Sequence, residues 1–271
     1  MELTLQQKLE KVRRLRPIDD VFFEVLADDT AVCQEILSTI LQDPGLVVES
    51  VIVQNSKKNL YGRSVRLDAL CVLGDGRRVN IEVQRSDHDD HLKRARYNAS
   101  AITVHDSQTG EDFSEIPEVY IVYISEFDFL SEGRTIYHID KVIRESGTVV
   151  DDGLQEIFVN SAVDDGSKIA DLMACFMQTE VNDPQFPVLS DRVHQLKQTE
   201  GGASAVCTVM QEYEKIALEQ GRAEGRAEGR TEGESLLAKV IKRLRSGVSE
   251  ETLRAEGISQ DTINLARECI A

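Results

Sequence analysis

The chain has 271 residues, 41% hydrophobic and 29% charged, with a formal net charge of −17, enough for one buried core plus an appendage. No stretch approaches the roughly 18 uninterrupted apolar residues that cross a bilayer, and the segment Met1 to Pro17 lacks the apolar run of a secretory signal. Cys33, Cys71, Cys175, Cys207 and Cys269 form no CxxC pair, which argues against a zinc site or a disulfide framework and for buried thiols in a reducing cytoplasm.

In chain order, apolar residues at helical spacing predict a helix from about Ile18 to Leu41, opened by Pro17 and ended by Pro44-Gly45. Leu46 to Gln54 is β-branched and predicts a strand. Ser64 to Leu73 and Arg77 to Gln84 predict a second and third, joined at Gly74-Asp75-Gly76. Asp87 to about Asp106 predicts a helix, with Leu92, Ala95, Ala99 and Ile102 among its apolar positions, and Val119 to Ile124 a buried strand. Ile136 to Ile139 and Gln155 to Asn160 predict short strands, and Asp165 to Thr179 a helix. Asp191 to Gln220 predicts a mostly helical stretch broken at Gly201-Gly202.

The chemistry concentrates in the predicted hairpin. On its second strand Asn80, Glu82 and Gln84 alternate with Val79, Ile81 and Val83, and on its first Arg66 and Asp68 alternate with Val65, Leu67 and Ala69. A three-residue turn at Gly74-Asp75-Gly76 sets Leu73 opposite Arg77, hence Asp68 opposite Glu82 and Arg66 opposite Gln84. Residues so opposed have Cβ atoms about 4.5–5.5 Å apart, and two carboxylates there repel unless a cation intervenes. A hard divalent ion satisfies them, and Mg²⁺ needs only one or two carboxylates beside its waters, which suits phosphodiester hydrolysis. The plainer reading is a solvated acidic face with Arg66 as counter-ion.

The order helix, three strands, helix, strand resembles the PD-(D/E)XK nuclease superfamily, and more closely its Rpn branch of recombination-promoting nucleases and transposases. The residues that carry the resemblance are Ile18-Asp19-Asp20-Val21-Phe22-Phe23, Arg66-Leu67-Asp68-Ala69, Asn80-Ile81-Glu82-Val83-Gln84, Lys93-Arg94-Ala95-Arg96-Tyr97 and Pro117 to Ile124. The resemblance implies an α/β fold with a restriction-endonuclease-like core, a mixed sheet flanked by helices, and a helical C-terminal tail. It implies a metal-dependent DNA endonuclease using Mg²⁺, or else Mn²⁺ or Ca²⁺. Asp68 and Glu82 would be metal ligands, the carbonyl of Val83 a third, Asp20 an acid at the mouth of the site, and Gln84 would stand where the superfamily has lysine. Arg66 or Arg85 would supply the missing charge, and Arg66, Arg85, Arg94 and Tyr97 would meet DNA. Glu24 stands where many relatives carry a basic residue.

The acidic balance opposes tight non-specific DNA binding, although Arg77, Arg78, Arg85, Lys93, Arg94 and Arg96 cluster around the proposed site. Asp87-His88-Asp89-Asp90-His91 reads as a helix N-terminus, with Ser86 or Asp87 as the cap, before it reads as a metal cluster. The resulting division is a nuclease core over 1–160, a helical extension over 161–220, and a tail over 221–271. The tail opens with GRAE-GRAE-GRTE-G, and short helices are predicted at Leu236 to Arg245, Glu250 to Ala255 and Gln260 to Ile270, with Ser249 and Ser259 as N-caps. The repeat is a flexible connector or a helix whose Gly/Ala stripe packs closely on a second chain of a homo-oligomer, with the Arg and Glu stripes pairing between chains. The alternative function is a weak or inactive nuclease fold serving assembly through this tail.

Overall fold

Asp29 caps a helix through Ala31 N–H at 3.0 Å, so the apolar periodicity of 18–41 is divided between two helices. In the computed structural model, which describes residues 4–57, 65–88, 90–107 and 109–270, these are α2 (Asp20–Ala27) and α3 (Thr30–Ile40). The predicted Ser64 and Asp89 lie outside the described residues. An unforeseen α1 (Leu5–Arg13) precedes them, opened by a Thr4–Gln7 capping box.

Three strands follow: β1 (Val48–Lys57), β2 (Val65–Leu73) and β3 (Arg78–Gln84). Helix α4 (His91–Asp106) starts later than predicted, because Asp90 is its N-cap and receives Lys93 N–H. Next come β4 (Val119–Ser125), β5 (Ile136–Ile139), an exposed hairpin of β6 (Lys141–Ile143) and β7 (Thr148–Val150) that was not foreseen, and β8 (Leu154–Asn160). Then α5 (Lys168–Phe176) and α6 (Pro187–Gln198) lead into α7 (Glu200–Arg245).

The six-stranded sheet has the order β1-β2-β3-β4-β8-β5. Its β3–β4 and β4–β8 pairs are parallel and the rest antiparallel. One face buries Val79, Ile81, Val122 and Ile157 against α1, α2, α3, α5, α6 and the start of α7. The other buries Leu70, Ile121, Tyr123 and Phe158 under Ala95, Ala99 and Ile102 of α4. The fold is thus the mixed α/β sheet flanked by helices that the family resemblance implies.

The chain divides into two units, Met1–Met210 and Gln211–Ala271. The second holds the rest of α7, with α8 (Glu250–Ala255) and α9 (Gln260–Glu268). Val240, Leu253, Ile263 and Ala266 form its small core. Its two corners are chemically the same, a tandem repeat that the sequence carries as Gly-Val-Ser-Glu-Glu-Thr-Leu and Gly-Ile-Ser-Gln-Asp-Thr-Ile. At each, a glycine takes positive φ (85° at Gly247, 89° at Gly257). The following Val248 or Ile258 N–H reaches back to Arg243 O or Leu253 O at 3.1 Å. Ser249 or Ser259 then caps the next helix through Thr252 or Thr262 N–H at 3.2 Å. The GRAE repeat is helical throughout, inside α7.

Candidate active site

The hairpin turn has the predicted length. Leu73 N–H donates to Arg77 O at 3.0 Å and Gly76 N–H to Leu73 O at 2.9 Å. Only a residue tolerant of φ near 91° fits the last turn position, which Gly76 fills. The ladder runs from Val72↔Arg78 to Ala69↔Ile81, and the next step brings Asp68 to Glu82.

There the regular ladder gives way to side chains. Across β2, the β1 pairing steps from Val53↔Ala69 to Asn55↔Leu67, around Gln54 with its φ of 52°. Leu67 and Leu70, three apart, pack in the same α4-side cluster, so the in–out alternation slips at Asp68. Asp68 N–H donates to Glu82 Oε1 at 3.3 Å, and Val83 N–H donates to Asp68 Oδ2 at 3.0 Å. This slip corrects two expectations. Leu67 is not on the Ala69 face. Arg66 is not set against Gln84; its guanidinium lies 4.0 Å from Glu24 Oε2 on α2, which makes Glu24 its counter-ion.

Glu82 is fully buried. Its Oε1 also accepts Asn80 Nδ2 at 2.9 Å, and its Oε2 faces Arg94 Nη2 at 3.4 Å. Arg94 Nη1 lies 3.4 Å from Gln84 Oε1, while Gln84 Nε2 donates to Ser86 O at 2.7 Å. The charge beside Glu82 and Gln84 therefore comes from Arg94 on α4, not from Arg66 or Arg85. Burial, and then the charge of Glu82, push the Asp68 carboxyl well above the usual carboxylate range, against Val83 N–H and Arg94. Burial also raises Glu82, opposed by Asn80, Arg94 and the Asp68 N–H.

Asp20, the exposed first residue of α2, is near enough to raise Asp68 further. Beside it Asp19 is buried. Its carboxylate takes Arg16 N–H at 2.7 Å and Arg85 Nη1 at 2.9 Å, and Glu126 after β4 takes Arg16 Nη2 at 2.5 Å and Arg85 Nε at 2.9 Å. This four-residue network ties the start of α2 to the ends of β3 and β4. Its only local part is the Arg16–Asp19 pair, three residues apart, since Arg85 and Glu126 are remote from it in sequence.

The predicted basic cluster is largely neutralised. Arg77 and Arg78 sit at the far, turn end of β3, with Asp75 at 2.6 Å and Asp106 at 2.7 Å, and Lys93 pairs with Asp90 at 2.6 Å. Tyr97 is exposed on α4. His91 is buried against Tyr123, Phe127 and Phe129, its ring nitrogens 2.9 Å from Tyr123 Oη and 3.1 Å from Asp87 Oδ1, so it packs the base of α4.

Among the described residues, no group of three or more His, Cys, Asp or Glu side chains is gathered to hold a metal ion. Asp68 and Glu82 form a smaller donor set of hard oxygens, which fits an ion that keeps most of its waters, as Mg²⁺ does, and not zinc.

Residues 18–162, more than half of the chain, match the model of a family described as PD-(D/E)XK nuclease family transposase. No curated protein and no solved structure matches the chain.

Proposed function

This chain belongs to the PD-(D/E)XK nuclease family transposases, and from that membership we propose that it is a divalent-metal-dependent DNA endonuclease acting at Asp68 and Glu82. The observation that carries the reading is the meeting of these two raised carboxyls across β2 and β3, with Arg94 beside them. Two acids forced together in a largely desolvated site cost stability unless a cation shares them. Asp68 and Glu82 would hold Mg²⁺, or Mn²⁺ or Ca²⁺ in its place, with the Val83 carbonyl as a further oxygen. When bound, the ion supplies positive charge to the phosphoryl oxygen and lowers the pKa of water.

The remaining work falls to the chain. Arg94 is placed to turn from Glu82 to a non-bridging phosphate oxygen, for which a guanidinium is well shaped. Gln84, which lacks the charge of lysine, orients water through its amide. Asp20 adds negative charge at the mouth. Arg66, Arg85 and Tyr97 meet the DNA backbone. The proposed setting is the cytoplasm, and the uses open to such a nuclease are DNA recombination, mobile-element biology and defence.

A second reading has its own observation. The Gln84 amide is already engaged on both sides, by Ser86 and Arg94, which favours a weak or inactive nuclease that serves assembly through its tail. Nicking of supercoiled plasmid by the purified full-length protein separates the two. The nuclease reading expects nicking that requires a divalent ion and is lost in Asp68→Ala and Glu82→Ala. Cleavage by either variant at the wild-type rate would remove the site assignment.

A further inference from the structure

We propose that Asn80 is a positioning residue that fixes which oxygen of Glu82 is offered to the metal ion, an inference that rests on the nuclease reading above. Asn80 is fully buried on β3, between Leu70 of β2 and Ile121 of β4 in the pairing, on the face covered by α4. An apolar residue would satisfy that position. Instead, Asn80 Nδ2 donates to Glu82 Oε1 at 2.9 Å, while its Oδ1 is buried with no hydrogen-bond partner among the described residues. An unmatched buried acceptor is costly and calls for a compensating role. The amide's orientation follows from the carboxylate, since the reverse would set Oδ1 against Oε1.

The two oxygens of Glu82 are thereby made unequal. Oε1 is occupied by two neutral donors, Asn80 Nδ2 and Asp68 N–H at 3.3 Å. Among the described residues, the hydrogen-bond contact to Oε2 is the longer 3.4 Å one from the partly exposed Arg94. Oε2 is the oxygen left for an incoming cation, and Asn80 holds the carboxylate so that it stays so. Residues that orient a ligand in this way typically contribute 10–100-fold to metal affinity.

Calorimetric titration of the full-length protein with Mn²⁺ tests this, using wild type, Glu82→Gln, Asn80→Leu and Asn80→Ala. Leucine keeps the volume and alanine opens a cavity, but both remove the donor. The proposal expects both Asn80 variants to bind Mn²⁺ about 10–100-fold more weakly than wild type, with circular dichroism unchanged. A residue that only fills space predicts otherwise: Asn80→Leu binds as wild type does and Asn80→Ala alone is impaired, and that result overturns the proposal. If Asn80→Leu does not fold, wild-type affinity in Asn80→Ala overturns it equally. Wild-type protein that binds no Mn²⁺, or Glu82→Gln that binds it fully, removes the metal-site reading and the role of Asn80 with it. Loss confined to Glu82→Gln leaves the metal site standing and removes Asn80 alone.

Discussion

Asp68 and Glu82 hold each other across two strands: Asp68 N–H donates to Glu82 Oε1 at 3.3 Å, and the residue after Glu82, Val83, donates its N–H to Asp68 Oδ2 at 3.0 Å. Each carboxyl is raised above the ordinary range, chiefly by burial.

The metal-free fold therefore binds protons at this pair more tightly than the unfolded chain does. That contribution is fully present below the ordinary carboxylate pKa and is lost as pH rises through the raised values. Asp68→Asn and Glu82→Gln should each raise the metal-free melting temperature near pH 7.5, on the order of 2–4 °C for each kcal/mol relieved. The advantage should shrink as the pH falls toward about 4. Scanning calorimetry across that window decides it. A variant less stable than wild type at pH 7.5, or a gap that ignores pH, would count against the paired-carboxylate account.

Arg94 is the cation placed on Glu82 and Gln84, whereas Arg77 is engaged with Asp75 at the far end of β3. With Ca²⁺ present, Arg94→Ala should weaken binding of labelled duplex DNA about tenfold or more, as loss of a charged phosphate contact does. Arg94→Lys should recover part of the loss, and Arg77→Ala should leave affinity unchanged. Fluorescence anisotropy reads all three. Equal losses in Arg94→Ala and Arg77→Ala would mean a general charge effect and no defined phosphate site.

Lys197 has a different task. It is buried, its ammonium donates to the carbonyls of Arg13, Leu15 and Thr179, and it lies 5.1 Å from the centre of the Phe22 ring. Lys197→Met keeps the stem but leaves these acceptors unmatched, so it should cost about 3 kcal/mol of unfolding free energy. Urea denaturation measures this. A loss below about 1 kcal/mol would show that water replaces the ammonium.

The hairpin was legible because strand periodicity and a glycine turn are local signals. Asn80, Glu82 and Gln84 alternate with Val79, Ile81 and Val83, and Gly74-Asp75-Gly76 sets the register. The slip at Asp68 was not, because it depends on Gln54 in β1 and on side chains replacing ladder bonds. Arg94 was legible as a phosphate-binding candidate, but its place on Glu82 depends on how α4 crosses the sheet. Gly201-Gly202 misled for a packing reason. The helix break comes just before them, at Thr199, and a Cβ on Gly202 would lie 2.5 Å from Gln195 O and Leu196 Cα. That glycine permits close approach of α6 and α7 and does not end a helix.

The tail gives the last prediction. The α7 segment from Gly221 to Gly233 is helical and exposed along its length. Each interior glycine costs a helix about 1 kcal/mol relative to alanine. Arg222, Arg226 and Arg230 stack as like charges, and Glu224, Glu228 and Glu232 do the same. At the repeat's edge Arg230 meets Glu234 at 2.9 Å, an i,i+4 pair that spans the last glycine, Gly233. At about 100° per residue, arginine falls on one side of the glycine stripe and glutamate on the other. Two such helices meeting through their glycines place Arg against Glu if parallel and like against like if antiparallel, as flanking positions do in coiled coils. We therefore expect parallel self-association. Light scattering should show a higher oligomer, in multiples of the chain's own mass, for the full chain than for one lacking Gln220 to Ala271. In a Cys269→Ser background, Gly225→Cys should form an intermolecular disulfide under mild oxidation, since that position lies on the glycine stripe where the two helices meet. Full-length and shortened chains that are both monomers at tens of micromolar would end the association idea. A dimer that crosslinks only between Gly225→Cys and Gly229→Cys chains would reverse its polarity.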